Sequence, residues 1–281
     1  MKIKYLDFRL VSPFSINIFV GRRKSGKTVA IFSFLNHFKD VFTSGIVFCG
    51  SVATAQLYAN VVPKAFIYDK HSDELIERVI ARQEDRIRRG TVTPMFLIFD
   101  DLGFDKRSMN SKAMKSLFMN GRHYKICVLI SLQYAMSIGP SLRSNVDFVF
   151  ASREKSPIYR QKLFDSFNLC FKKFAEFDNV YVACTNNYDI FIIANALPTT
   201  SNEAEDNLFF WHAKFPIPSF KVNALGAWWK CVKKKKEVKS STERVGIVQK
   251  VGRVTQVEKK VKNEIVLPRL VRRRERGKKF M

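Results

Sequence analysis

One eight-residue stretch constrains this chain more than any other: Gly21-Arg22-Arg23-Lys24-Ser25-Gly26-Lys27-Thr28 fits G-x-x-x-x-G-K-[ST] without departure. The pattern makes a phosphate-binding loop when a strand leads in and a helix leads out. Both are present. Ile16, Ile18 and Val20 alternate before the loop, and Val29-Ala30-Ile31-Phe32 open an apolar helical run after it. Gly21 and Gly26 allow a close wrap where a Cβ would collide or φ must be positive. The backbone N–H groups along Arg22, Arg23, Lys24 and Ser25 and the helix N-terminus then meet a phosphate. Lys27 would bridge the β- and γ-phosphates, and Thr28 would set its hydroxyl on Mg²⁺. A solvated basic turn is the alternative, and it needs no such flanking context. The motif therefore implies a nucleoside triphosphate with magnesium. ATP is the default, because the loop does not read the base.

Around this loop the first 195 or so residues alternate short apolar β-type runs with helical patterns. That texture predicts an α/β fold with a mostly parallel central sheet flanked by helices. Strands are expected at Ile16–Val20, Gly45–Cys49, Ala65–Tyr68, Met95–Asp100, Ile126–Ser131 and Asp147–Ala151. Helices are expected near Lys27–Phe38, Ser72–Arg89, Ser111–Asn120 and Ile158–Asn168. In the second of these, Ile76, Ile80, Gln83 and Ile87 share one stripe, opposite Arg78, Arg82, Arg86, Arg88 and Arg89. Val180–Cys184 and Asp189–Ala194 flank Asn186-Asn187 and read as a hairpin.

Met95-Phe96-Leu97-Ile98-Phe99-Asp100-Asp101 is an apolar run ending in two carboxylates. After a complete phosphate loop this predicts Asp100 as the magnesium partner and Asp101 as the base that activates water. A buried strand that merely ends in a polar turn is the alternative. One strand on, Gln133 follows Ile126–Ser131, where it would sense nucleotide or cap a turn. Arg122 precedes that strand and Arg143 follows it. Either would serve as a trans-acting arginine, or as a plain surface side chain.

Charge adds a partner. The 49 Lys+Arg against 25 Asp+Glu give +24, which predicts a polyanionic partner, either nucleic acid or an acidic membrane surface. Residues 230–281 carry nineteen Lys/Arg against five Glu, a surplus of fourteen, and almost no aromatics. They read as a basic tail, disordered without a partner, which would anchor DNA or act as a nuclear signal through Lys233–Lys236 and Arg272-Arg273-Arg274. The organisation expected is a core over 1–197, an irregular aromatic and proline-containing arm over 198–229 packed on it, and the tail over 230–281. Five scattered cysteines suggest reduced thiols and no metal knuckle. The longest apolar run is too short to span a bilayer, so a soluble protein is expected.

The order of strand, GRRKSGKT and helix, then FLIFDD, GRHYKICVLISLQ and PSLRSNVDFVF, resembles the FtsK/HerA group of DNA-pumping ATPases. Within that group it is most similar to the poxvirus-type genome-packaging ATPases of large DNA viruses, over roughly residues 10–195. The resemblance implies Arg122 as the arginine acting in trans and Gln133 as the nucleotide sensor. It also implies a homo-oligomeric ring, a hexamer or pentamer, that moves double-stranded DNA and docks on a capsid component. The place would be the host cytoplasm or nucleus where virus assembles, or the virion itself. The base in such enzymes is often glutamate, whereas this chain has Asp101, one methylene shorter. Three other readings bear weighing: an ATPase switch that binds DNA or capsid without translocating, a nucleotide kinase, and a terminase with a nuclease domain. The kinase reading leaves the basic tail without a purpose, and no downstream carboxylate cluster supports a nuclease.

Overall fold

A computed structural model describes residues 3–100, 102, 106–167, 171–197 and 204–230. The basic tail beyond Lys230 and Asp101 lie outside the described residues. In chain order the strands are β1 (Lys4–Tyr5), β2 (Ile16–Val20), β3 (Ser44–Cys49), β4 (Ile67–Tyr68), β5 (Met95–Asp100), β6 (Ile126–Leu132), β7 (Phe148–Ala151), β8 (Asp189–Ala194) and β9 (Leu208–His212). The helices are α1 (Lys27–His37), α2 (Val52–Val61), α3 (Asp73–Arg88), α4 (Lys106–Met109), α5 (Lys112–Asn120), α6 (Pro140–Arg143), α7 (Pro157–Phe167) and α8 (Phe174–Cys184).

Among the described residues the strands form one sheet in the order β1-β9-β8-β7-β2-β6-β5-β3-β4. From β7 across to β4 every pairing is parallel. Only β8 runs against its neighbours β7 and β9, and β1 closes the far edge parallel to β9. The expected α/β architecture with a mostly parallel sheet flanked by helices is what forms.

The central strands are buried on both faces, so they read as continuous apolar runs with no polar alternation. Ile16, Ile18, Val20, Leu97, Phe99, Val128 and Ile130 face the layer of α3, α5, α7 and α8. Phe19, Phe96, Ile98, Cys127 and Leu129 face α1, α2 and the chain after β9. The helix caps follow local chemistry. Ser51, Ser72 and Ser111 accept from Thr54 N, Leu75 N and Met114 N at the starts of α2, α3 and α5.

Three sequence expectations are corrected. Val180–Cys184 is the second half of α8 and not a hairpin strand. Phe177 and Tyr181, four apart, are both buried and stack on each other at 5.7 Å. That period-3.6 packing overrides the β propensity of Val180, Tyr181 and Val182. Within the expected irregular arm, Leu208–His212 forms β9, whose Trp211 and Phe209 fill the core. Ile87, placed in the buried stripe of α3, is 40% exposed, and the buried face of that helix ends at Gln83.

Beyond β9 the chain runs back over the α1–α2 face. Lys214 N donates to Ser33 Oγ, Val222 N to Val61 O and Asn223 N to Lys39 O, while Phe220, Val222 and Trp228 are buried. Residues through Trp228 make one compact unit.

Candidate nucleotide site

The parallel strands point their carboxyl ends to one edge, the edge where open α/β sheets bind ligands. β2 delivers the phosphate loop there, β5 ends there with Asp100, and β6 lies between them in the sheet and leads into Gln133. Loop, sensor strand and acidic strand are thus laid side by side, although they are far apart in sequence.

The loop's backbone fits the role its residues suggested. Gly26 takes φ 92° as the residue before α1, and Lys24 takes φ 62° two residues earlier, so the chain turns through left-handed conformations around Ser25. At Gly21 a Cβ would stand 2.6 Å from Ser25 Oγ and 3.0 Å from Ser152 Cβ, so glycine is needed there for space. Ser25 Oγ is buried and has no hydrogen-bond partner among the described residues. Buried polar groups are nearly always hydrogen-bonded, so this hydroxyl stands out in the loop. Lys27 Nζ bends back over the loop and donates to Gly21 O at 2.6 Å and Arg22 O at 2.9 Å. Arg22, Arg23 and Lys24 are exposed around it.

Beneath the loop, Thr28 Oγ1 donates to Asp100 Oδ2 at 3.2 Å, and Asp100 is 1% exposed. The same oxygen accepts from Tyr58 OH of α2 at 3.0 Å. Burial, reinforced by the neighbouring carboxylate, raises the Tyr58 phenol well above its ordinary range, so it stays protonated and serves as a donor. A hydroxyl and a buried carboxylate in contact, at the mouth of a helix N-terminus, are a donor set suited to a hard divalent cation.

Gln133 shares a cleft with Gly21, lined further by Tyr134, Ser152, Glu154, Tyr159 and Arg160. Arg160 is held in that wall by Asp178 and by the Glu154 and Lys155 carbonyls. Tyr134 and Tyr159 lie against each other at 4.7 Å at the rim.

Arg122 is elsewhere. It precedes β6, so it sits at the opposite edge of the sheet, about 20 Å of strand away from its own phosphate loop at roughly 3.3 Å per residue. Nε and Nη2 both go to the Asp147 carboxylate, which also accepts Ile16 N at 2.8 Å. Burial raises the Asp147 carboxyl above its ordinary value, against the pull of the Ile16 N–H and of Arg122. Arg143, in α6, lies before β7 and is half-buried.

Tyr58, Ser25 as an orphan hydroxyl, and Asp147 went unseen in the sequence reading. Tyr58 belongs to a helix whose pattern, VATAQLYANV, is only weakly periodic.

With this geometry in place, comparison with known proteins gives a direct result. Residues 4–206 match the family model described as Poxvirus A32 protein. The chain belongs to that family. It is the poxvirus-type group that the motif order resembled, and family and phosphate loop together make the chain a P-loop ATP hydrolase. Relatives within reach include protein 088R of Invertebrate iridescent virus 3, 30% identical over 227 residues, covering 76% of this chain and 86% of the relative. Protein 015R of Frog virus 3 (isolate Goorha) is 29% identical over 235 residues, covering 82% and 72%. The fold of this A32-family chain is similar to that of the genome packaging NTPase B204 from Sulfolobus turreted icosahedral virus 2, solved in complex with ATP-gammaS. The TM-score is 0.51 at 16% identity, over 73% of this chain and all of that one. No helix among the described residues is long and apolar enough to cross a membrane.

Proposed function

We propose that this chain is an ATP-driven double-stranded DNA translocase that packages a viral genome. The observation that carries the reading is the meeting of Thr28 and Asp100 under a complete phosphate loop, with Gln133 following the strand between them. The iridescent-virus relatives and the packaging NTPase with the same fold support the viral setting.

In this reading Gly21 to Thr28 hold the phosphates of ATP, and Thr28 and Asp100 hold Mg²⁺. The cation would supply charge neutralisation at the transferring phosphoryl group. Lys27 swings from the Gly21 and Arg22 carbonyls to the β- and γ-phosphates. Asp101, next in the chain to Asp100, accepts the proton of the attacking water. Gln133, beside Gly21, registers the γ-phosphate and passes its loss to the Tyr134 loop.

Arg122 is too far from its own loop to act in cis, and in this reading it serves the nucleotide of a neighbouring copy. Asp147 takes two of its donors, and its side chain is 56% exposed, which leaves Nη1 for an acceptor across a boundary. In this reading such copies assemble into a ring, a hexamer or pentamer, with a donor on one sheet edge meeting an acceptor on the other. The excess of basic residues would grip DNA phosphates without reading bases, as a motor that runs over any sequence requires. A capsid component would anchor the ring.

The test is ATP hydrolysis by the full chain with and without duplex DNA, together with Lys27→Ala and Asp101→Asn. Turnover that rises with duplex DNA, falls with added salt and vanishes in both variants is the expected result. Turnover indifferent to DNA would leave an ATPase switch and remove the motor. Normal turnover in Asp101→Asn would remove that residue as the base.

A further inference from the structure

We propose that Tyr58 is a positioning residue for the magnesium site: its hydroxyl fixes the rotamer of Asp100. The proposal rests on Thr28 and Asp100 being the cation pair of the site.

Tyr58 is wholly buried in α2, and its hydroxyl lies 3.0 Å from Asp100 Oδ2. A phenol taken out of water costs free energy unless it finds an acceptor, so phenylalanine would fill this space more cheaply if packing were the whole purpose. The acceptor it finds is Asp100, the last residue of β5. Its ring also stacks on Phe32, with centroids 4.7 Å apart and planes 22° from parallel. Phe32 stands one turn beyond Thr28 on α1, on the same side of the helix. Tyr58 therefore touches Asp100 directly through its hydroxyl, and through its ring it packs on the helix that bears Thr28.

Its own placement is firm. Cys49, the last residue of β3, is paired in register with Asp100. Two residues later Ser51 caps α2, so a short connection leads from the strand beside Asp100 to the helix that bears Tyr58. Two hydroxyl donors on Oδ2, from Thr28 and Tyr58, hold the carboxylate plane in one orientation. Thr28 stands in the first turn of α1, at the end of the phosphate loop, whereas Tyr58 is wholly buried in the core. Outer partners of this kind orient ligating carboxylates, and their loss typically costs about 10- to 100-fold in metal affinity or activity.

The experiment uses the full chain and a fluorescent N-methylanthraniloyl ATP, with binding followed in EDTA and then across a magnesium titration. Tyr58→Phe keeps the ring and its stack on Phe32 and removes only the hydroxyl. Phe32→Leu removes the stack and keeps the hydroxyl. Tyr58→Phe is expected to bind nucleotide in EDTA as the wild type does and to need about tenfold more magnesium for half-saturation, while Phe32→Leu stays within about twofold of wild type. Thermal unfolding without magnesium confirms that both variants are folded. An unchanged magnesium requirement in Tyr58→Phe overturns the proposal, and so do equal shifts in the two variants, which would trace the effect to packing. Asp100→Ala separates the levels. If it loses the magnesium response while Tyr58→Phe keeps a wild-type one, only the role of Tyr58 falls. If wild-type binding ignores magnesium altogether, the cation reading of Thr28 and Asp100 falls first and takes this role with it.

Discussion

The Thr28 hydroxyl donates to Asp100 Oδ2 across 3.2 Å, although 72 positions of chain separate the two residues. Neither local sequence can arrange this. The contact exists because β2 and β5 run parallel with only β6 between them, so both release their chains at one edge. The site is a product of strand order, and changes that spare the sheet but touch this contact should separate chemistry from stability.

Thr28→Ala is expected to lower ATP turnover by about 100-fold or more, because it removes a group proposed to fix the cation at the reacting phosphate. Thr28→Ser keeps the hydroxyl and should retain most activity. Steady-state hydrolysis at saturating magnesium checks both, and urea unfolding should place each within about 1 kcal/mol of wild type.

Gly26→Ala tests backbone strain without a steric clash. An added Cβ meets nothing within 4 Å, but φ is 92°, a conformation that L side chains resist. The expected cost is about 1–2 kcal/mol in urea unfolding, with loss of nucleotide binding as the loop relaxes.

Arg122→Ala leaves the Asp147 carboxylate, 2% exposed, without its cationic partner. Breaking such a pair from one side should cost about 3 kcal/mol near neutral pH. The sign of the pH dependence follows from the raised carboxyl. An acid whose folded value lies above its ordinary one has its contribution intact below the ordinary value and loses it as pH rises through the folded value. Removing Arg122 raises that folded value further. The stability gap between wild type and variant should therefore widen from pH 4 to pH 7 in urea titrations. A gap independent of pH would contradict the role of the Asp147 charge.

Gln83→Leu is expected to destabilise by about 2 kcal/mol, despite the gain in apolar volume. Gln83 is fully buried in α3, and its Nε2 donates to Thr93 O at 3.0 Å and Tyr124 O at 2.8 Å, tying the helix to the segments that enter β5 and β6. Leucine would strand both carbonyls. Urea midpoints measure the change.

The residues show why part of this was legible in the chain and part was not. β2, β5 and β6 were readable because both their faces are buried, which leaves unbroken apolar runs. The phosphate loop, Asp100 and Gln133 were readable because each sits within a few residues of such a run. α2 was missed because only Tyr58 and Val61 of its ten residues are buried, too few to make a stripe. β9 was hidden by its aromatic density and by Pro216 and Pro218 just beyond it, which suggested irregular chain. Asp147 and Tyr58 act through partners 25 and 42 positions away, and no local pattern announces a pairing at that range.

The edge strand β1 has one further implication, for the order in which the molecule can be assembled. Lys4 and Tyr5 pair with Phe209 and Phe210, and Leu6 N reaches Phe210 O at 2.9 Å. Lys4 to Leu6 therefore find their place only after about two hundred further residues have been made. Once made, β8 presents an open edge until β9 arrives on that side. Contacts closed over so long a span are slow to form, and an uncovered strand edge in the meantime invites pairing with another chain. Synthesis of this protein at high concentration thus carries an interval of vulnerability that ends when residue 212 is in place, and a holding chaperone would be most useful within that interval.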